Sequence, residues 1–102
     1  MTVGITERQF QAQVELYATA RGFMVYHTHD SRRSHAGWPD LVLCKPETRQ
    51  LAFVELKSEH GRVTPGQAKW LRALHDCGMK AGVFRPSTSH ELFAWLDERE
   101  EF

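Results

Sequence analysis

Asp40, Glu55 and Lys57 are the residues of this chain whose types and spacing could do chemistry. Pro39-Asp40 is followed, after fourteen residues, by Glu55-Leu56-Lys57. If Cys44 pairs with Leu51 across the six-residue connection Lys45-Pro46-Glu47-Thr48-Arg49-Gln50, Asp40 falls directly opposite Glu55 in an antiparallel hairpin. Side chains alternate along a strand, so Phe53, Glu55 and Lys57 share one face. Like charges directly opposite one another destabilise a strand pair. The segment 51–57 is otherwise apolar and reads as a strand covered on both faces. A carboxylate placed there must be paired, protonated or bound to a metal. A divalent cation removes the repulsion between Asp40 and Glu55, and Lys57 neutralises part of the remaining charge. Ligands that are all oxygen favour a hard ion, Mg²⁺ or Mn²⁺, which completes its shell with water and substrate phosphate. That equipment suits phosphodiester hydrolysis, with a neighbouring lysine to orient water or to stabilise developing charge. The competing reading of the same three residues is a strand-edge ion pair facing solvent.

The surrounding sequence supplies the elements that must position them. Thr6-Glu7-Arg8-Gln9 has capping-box form, Phe10, Val14, Tyr17 and Ala18 follow at helical spacing, and Gly22 punctuates the end. A helix is expected over 7–21. Segments 23–29, 40–44, 51–57 and 80–85 read as strands. Thr64-Pro65-Gly66-Gln67 opens a second helix, with Thr64 as cap, Pro65 in the first helical position and Gln67 closing the box. Gly78 ends it, and a last helix carries Leu92, Phe93, Trp95 and Leu96. The order α, β, β, β, α, β, α predicts an α/β (α+β) domain, a mixed sheet with helices packed against it.

The chain has 102 residues, 13 Lys+Arg against 13 Asp+Glu, and is expected to form one domain over 1–102. Balanced charge argues against a wholly basic nucleic-acid coat protein, but leaves room for a local basic patch. Two cysteines, Cys44 and Cys77, cannot build a four-thiolate zinc site and read as reduced residues of a cytoplasmic protein. No apolar run approaches the ~20 residues of a membrane span, and no signal peptide is expected.

Gly37-Trp38-Pro39-Asp40-Leu41, Glu55-Leu56-Lys57, Gly61 and Thr64-Pro65-Gly66-Gln67 together resemble the virus-type replication–repair nuclease (VRR-NUC) domain of the PD-(D/E)XK nuclease superfamily. Glu7 and Gln11, ahead of Gly22, fit that family's first element. The resemblance runs from about Ile5 to Leu96. It implies a restriction-endonuclease-like αβββαβ core and a metal-dependent DNA endonuclease using Mg²⁺ or Mn²⁺. It further implies that Asp40 and Glu55 ligate the metal, the Leu56 carbonyl assists, and Lys57 serves water or phosphate. A helix-1 glutamate would lie near the metal; the family spacing favours Glu7 over Glu15. Gln67 would support the site from the second helix; capping alone is the bland alternative, and the two roles can coexist. Stand-alone relatives resemble phage proteins and often act as homodimers on branched DNA, including four-way junctions.

Other residues are weaker candidates. Glu7, Gln11 and Glu15 form one helical stripe, which as a bland alternative is a solvated face. His27 and His29 alternate on one strand face; they read as core or site-lining histidines, with His27 a possible phosphate contact and zinc ligation disfavoured for want of further ligands. Arg32, Arg33 and His35, in the loop before Pro39-Asp40, are candidate DNA-backbone contacts, with a solvated loop as the bland alternative; Gln11 and Arg62 are further candidates, and Lys45, Arg49, Arg62, Lys69 and Arg72 could extend a positive rim. Two other functions fit the same fold: a non-catalytic DNA-binding or assembly module, and a sequence-specific restriction-type enzyme.

Overall fold

A computed structural model of the chain describes residues 4–28 and 36–98. The elements are α1 (Glu7–Ala20), β1 (Met24–His27), β2 (Leu41–Lys45), β3 (Gln50–Leu56), α2 (Pro65–Asp76), β4 (Lys80–Phe84) and α3 (Ser89–Leu96), with short 3₁₀ turns at Pro46–Thr48 and Pro86–Thr88. The four strands form one sheet in the order β1-β2-β3-β4. β1–β2 and β2–β3 are antiparallel, and β3–β4 is parallel with α2 as the crossover. This is the expected mixed sheet flanked by helices.

Both expected capping boxes are present. Thr6 Oγ1 accepts from the Gln9 N–H and Gln9 Oε1 accepts from the Thr6 N–H; Thr64 and Gln67 repeat the pattern on α2. Each satisfies two helix-end donors, and loss of such a cap costs about 1 kcal/mol. Gly22 and Gly78 follow the helices with φ of 85° and 84°.

The hairpin register is the inferred one: Cys44 pairs with Leu51, and the ladder runs back to Leu41 opposite Val54. Alternation sends Leu41, Leu43, Ala52, Val54 and Leu56 into a core shared with Phe10, Val14 and Ala18 of α1 and Leu92, Trp95 and Leu96 of α3. Full burial of each large apolar side chain contributes about 1.5–3 kcal/mol. The opposite face carries Phe53 and Glu55, and α2 packs over β4 and β3 on that side.

Several boundaries differ from the expectation. β1 is shorter than 23–29, because Phe23 still belongs to the helix exit, its N–H bonded to Ala18 O at 3.1 Å. Asp40 stands one residue before β2 rather than within it. Cover on both faces of β3 holds only from Val54 onward; Leu51 is 39% exposed and Phe53 is half-buried. On that same face, beyond the reach of α2, Met24 and Tyr26 of β1 are also exposed. Trp95 is core, and Phe93 packs on Tyr17 with ring centroids 4.3 Å apart. His29, Asp30, Arg32, Arg33 and His35 lie outside the described residues.

Candidate active site

The ladder between β2 and β3 stops at Leu41, and its last backbone donor is taken by a side chain. Asp40 Oδ2 accepts the Leu56 N–H at 2.9 Å. The backbone at Asp40 is tied to β1 as well, since Thr28 N–H donates to Asp40 O at 2.9 Å and Thr28 Oγ1 to Pro39 O at 2.8 Å. Asp40 is thus held from both neighbouring strands at the sheet end.

The segment ahead of it is fixed against α2. Gly37 has φ of 93°, and a Cβ there would sit 2.4 Å from the Gly66 carbonyl carbon and 2.7 Å from Gln67 N. Only glycine allows both the left-handed conformation and that approach. Trp38 wedges between β3 and α2, edge-on to Phe53 at 5.8 Å and to Trp70 at 5.0 Å. Trp70 is therefore a packing residue, and it also lines a cleft of about 470 Å³ with Ala36, Gly66, Lys69 and Ala73.

Glu55 is 1% exposed and Lys57 8% exposed. Lys57 Nζ lies 3.4 Å from Glu55 Oε2, and Gln67 Nε2 donates to that same oxygen at 3.0 Å. Gln67 therefore fills both of its candidate roles, capping α2 with Oε1 and holding Glu55 with Nε2. Glu55 Oε1 is buried with no hydrogen-bond partner among the described residues. Burial, then the neighbouring Asp40 carboxylate, push the Glu55 pKa up to about 8, against the opposing pull of Lys57. A buried, orphaned carboxylate oxygen next to a second carboxylate is the arrangement a hard divalent cation relieves. The oxygen donors of Asp40 and Glu55 fit Mg²⁺ or Mn²⁺. No group of three or more His, Cys, Asp or Glu side chains suited to a metal occurs among the described residues.

The helix-1 candidates separate. Glu7 is exposed in the first turn of α1. Glu15 is half-buried, and its Oε2 accepts from Gln11 Nε2 at 3.0 Å. Gln11 Nε2 also lies 2.8 Å from His27 Nε2. An amide nitrogen only donates, so in this contact His27 Nε2 is the acceptor. Arg62 is exposed in the β3–α2 connection. Cys44 and Cys77 are both free.

Sequence reasoning did not single out Arg85, Glu59 and Ser87, which organise the turn after Lys57. Arg85 Nη1 donates to Ser58 O, Glu59 O and Gly61 O at 2.8, 3.2 and 2.7 Å. Glu59 accepts from Ser87 N–H and Oγ at 3.1 and 2.7 Å. These partners are 24 to 28 residues apart, and no local spacing announces them.

The chain is thus an α+β domain, a mixed sheet flanked by helices, with a buried carboxylate and lysine beside a second carboxylate at one sheet end. The profile of the VRR-NUC domain matches residues 6–87, and the chain belongs to that family of nuclease domains. Fanconi-associated nuclease 1 homologs of Caenorhabditis elegans and Caenorhabditis briggsae are 42% and 40% identical to it over 52 residues. That segment is 51% of this chain but only 6% of either relative. Two solved structures share the fold. A VRR_NUC domain protein superimposes with a TM-score of 0.73 at 19% identity, covering 98% of this chain and 94% of its own. A second VRR_NUC domain gives 0.69 at 23% identity, covering 92% and 94%.

Proposed function

We propose that the chain is a Mg²⁺- or Mn²⁺-dependent DNA endonuclease that acts on branched DNA, such as four-way junctions, as a homodimer of phage type. The observation that carries the reading is the state of Glu55. Its Oε2 is occupied by Gln67 and Lys57, while its Oε1 is buried beside Asp40 and has no hydrogen-bond partner among the described residues.

Asp40 and Glu55, assisted by the Leu56 carbonyl, would hold the ion. Such an ion, when bound, supplies Lewis acidity that activates water and offsets charge on the phosphoryl oxygens. The protein's own residues do the rest. Gln67 fixes the plane of the Glu55 carboxyl, so that Oε1 keeps one direction. Lys57 is desolvated and held at the carboxylate, from which its ammonium can orient an attacking water or a phosphate oxygen. The Leu56 N–H holds Asp40 Oδ2 and sets the distance between the two acids. Glu7 or Glu15 would lie near the ion from α1, and Gln11, His27, Arg32, Arg33 and Arg62 would contact the DNA.

A two-fold pair suits symmetric cutting of a branched substrate, because one domain of this size covers little of a junction. No helix among the described residues is long and apolar enough to cross a membrane. The test is a cleavage panel: a four-way junction, a flap and a plain duplex, each with Mg²⁺ or Mn²⁺. Cleavage of the junction ahead of the duplex, abolished by Asp40→Ala, is the expected result. No cleavage of any substrate, or undiminished cleavage by the variant, defeats the proposal. A sedimentation mass of one chain, with and without DNA, defeats the homodimer.

A further inference from the structure

Lys57 lies one residue past the end of β3, where the strand no longer confines it. Its N–H donates to Phe84 O at 3.0 Å, which ties its backbone to the end of β4. Its side chain must still carry Nζ to Glu55 through four methylenes, and such a stem is rotationally free unless walled in.

The wall is the turn that follows. A Cβ on Gly61 would lie 3.6 Å from Lys57 Cδ and 2.9 Å from Ser58 Oγ. Gly61 therefore lies alongside the lysine stem, where even an added Cβ would make only ordinary contact with Cδ, and the tighter approach is to the Ser58 hydroxyl. Gly61 is held there by its own N–H, which donates to Ser58 O at 3.2 Å, and by Arg85, whose Nη1 donates to Gly61 O at 2.7 Å and to the Ser58 and Glu59 carbonyls of the same turn. Arg85 is itself anchored, its N–H donating to Thr88 Oγ1 at 3.0 Å. Ser87 adds a second tie through the Glu59 carboxylate. Half-buried turn carbonyls need donors, and a guanidinium supplies charge-assisted bonds to several at once.

We infer that Arg85 is a positioning residue for Lys57: by gripping the carbonyls of the 58–61 turn it seats Gly61 against the lysine stem and keeps Nζ at Glu55. The inference rests on the nuclease reading for its consequence in rate, but its geometry can be read separately. Misplacement of a reacting group by about 1 Å costs on the order of 100-fold in rate. Arg85→Ala is therefore expected to slow single-turnover junction cleavage about 10- to 100-fold. Affinity for the uncleaved junction in Ca²⁺ should stay within about twofold, because the Arg85 guanidinium is committed to the turn carbonyls.

The full chain is tested in a double-mutant cycle with Lys57→Met. If Arg85 acts through Lys57, the double variant cleaves no more slowly than Lys57→Met alone. Additive losses would overturn the inference, as would weakened binding with an unchanged rate at saturating DNA. Ser87→Ala, an exposed position, repeats the cycle if Arg85→Ala does not fold. A slowing of about two- to fivefold, absent in the Lys57→Met background, is expected; additivity there overturns the inference equally. A readout independent of cleavage is the ¹⁵Nζ ammonium signal of Lys57, sharp in wild type and averaged toward the exposed lysines in both variants. An unchanged signal overturns the inference, whereas absent cleavage by wild type overturns only the nuclease reading.

Discussion

Gln67 Nε2 donates to Glu55 Oε2 at 3.0 Å while Gln67 Oε1 accepts the Thr64 N–H at 2.9 Å. One side chain thus closes the capping box of α2 and aims a buried carboxylate. The two functions can be separated because they use opposite ends of the amide. Gln67→Glu keeps the acceptor for Thr64 but replaces the donor with a carboxylate facing Glu55. It should retain most of the stability and lose cleavage. Gln67→Ala should lose cleavage and, in addition, about 1 kcal/mol of stability. Thermal melts alongside rates check this; equal melting points for the two variants would contradict it.

The Glu55 carboxyl, raised from 4.5 to about 8, makes the metal-free protein sensitive to pH. Between those values the folded state keeps a proton that the unfolded state has released. Stability in EDTA therefore falls as pH rises through that window, by up to about 1.4 kcal/mol per unit from this group. Saturating Mg²⁺ should flatten the fall, since a bound cation favours the ionised carboxylate. Glu55→Gln should remove this contribution and be more stable than wild type at pH 8 in EDTA. Urea titrations across the pH range test the slope, and a wild-type stability that rises through it would refute the assignment.

Cation uptake by this pair must displace the Glu55 proton below pH 8. Calorimetry of Mn²⁺ binding in two buffers of different ionisation enthalpy should report proton release at pH 7. Asp40→Asn should weaken the binding. Uptake without proton release would mean the ion sits elsewhere.

Lys57 is buried at 8% exposure against Glu55, and the role proposed for it comes into play after DNA is bound. Lys57→Met preserves the stem and removes the charge. The expected loss is several powers of ten in rate, each worth about 1.4 kcal/mol of barrier. Junction affinity in Ca²⁺ should change little. Binding lost together with rate would make Lys57 a structural residue.

Gly37→Ala should fail for two reasons that act together. Its φ of 93° strains any L-residue, and the new Cβ meets backbone of Gly66 and Gln67 at 2.4 to 2.7 Å. A cost of at least about 1–3 kcal/mol follows from the backbone conformation alone. Because the contact joins the Asp40 loop to the helix bearing Gln67, cleavage should fall further than the melting point. Gly66→Ala, whose Cβ would come no closer than 3.4 Å to Ala36 O, is the milder control.

Local and pairwise rules carry far in this chain. The two capping boxes, the order of elements and the Cys44–Leu51 register were all legible, because hydrophobic period, helix-end chemistry and loop length act over a few residues. From that register, Asp40 and Glu55 had to meet at one sheet end. What only the tertiary structure decided depends on partners distant in sequence. It took the fold to give Gln67 both jobs, to leave Glu55 Oε1 without a partner among the described residues, and to place Glu15 rather than Glu7 in the half-buried bond with Gln11. Arg85 was read only as the end of a strand. A guanidinium's hydrogen-bond partners are set by which backbone it meets after folding, and nothing in its neighbours along the chain records that choice.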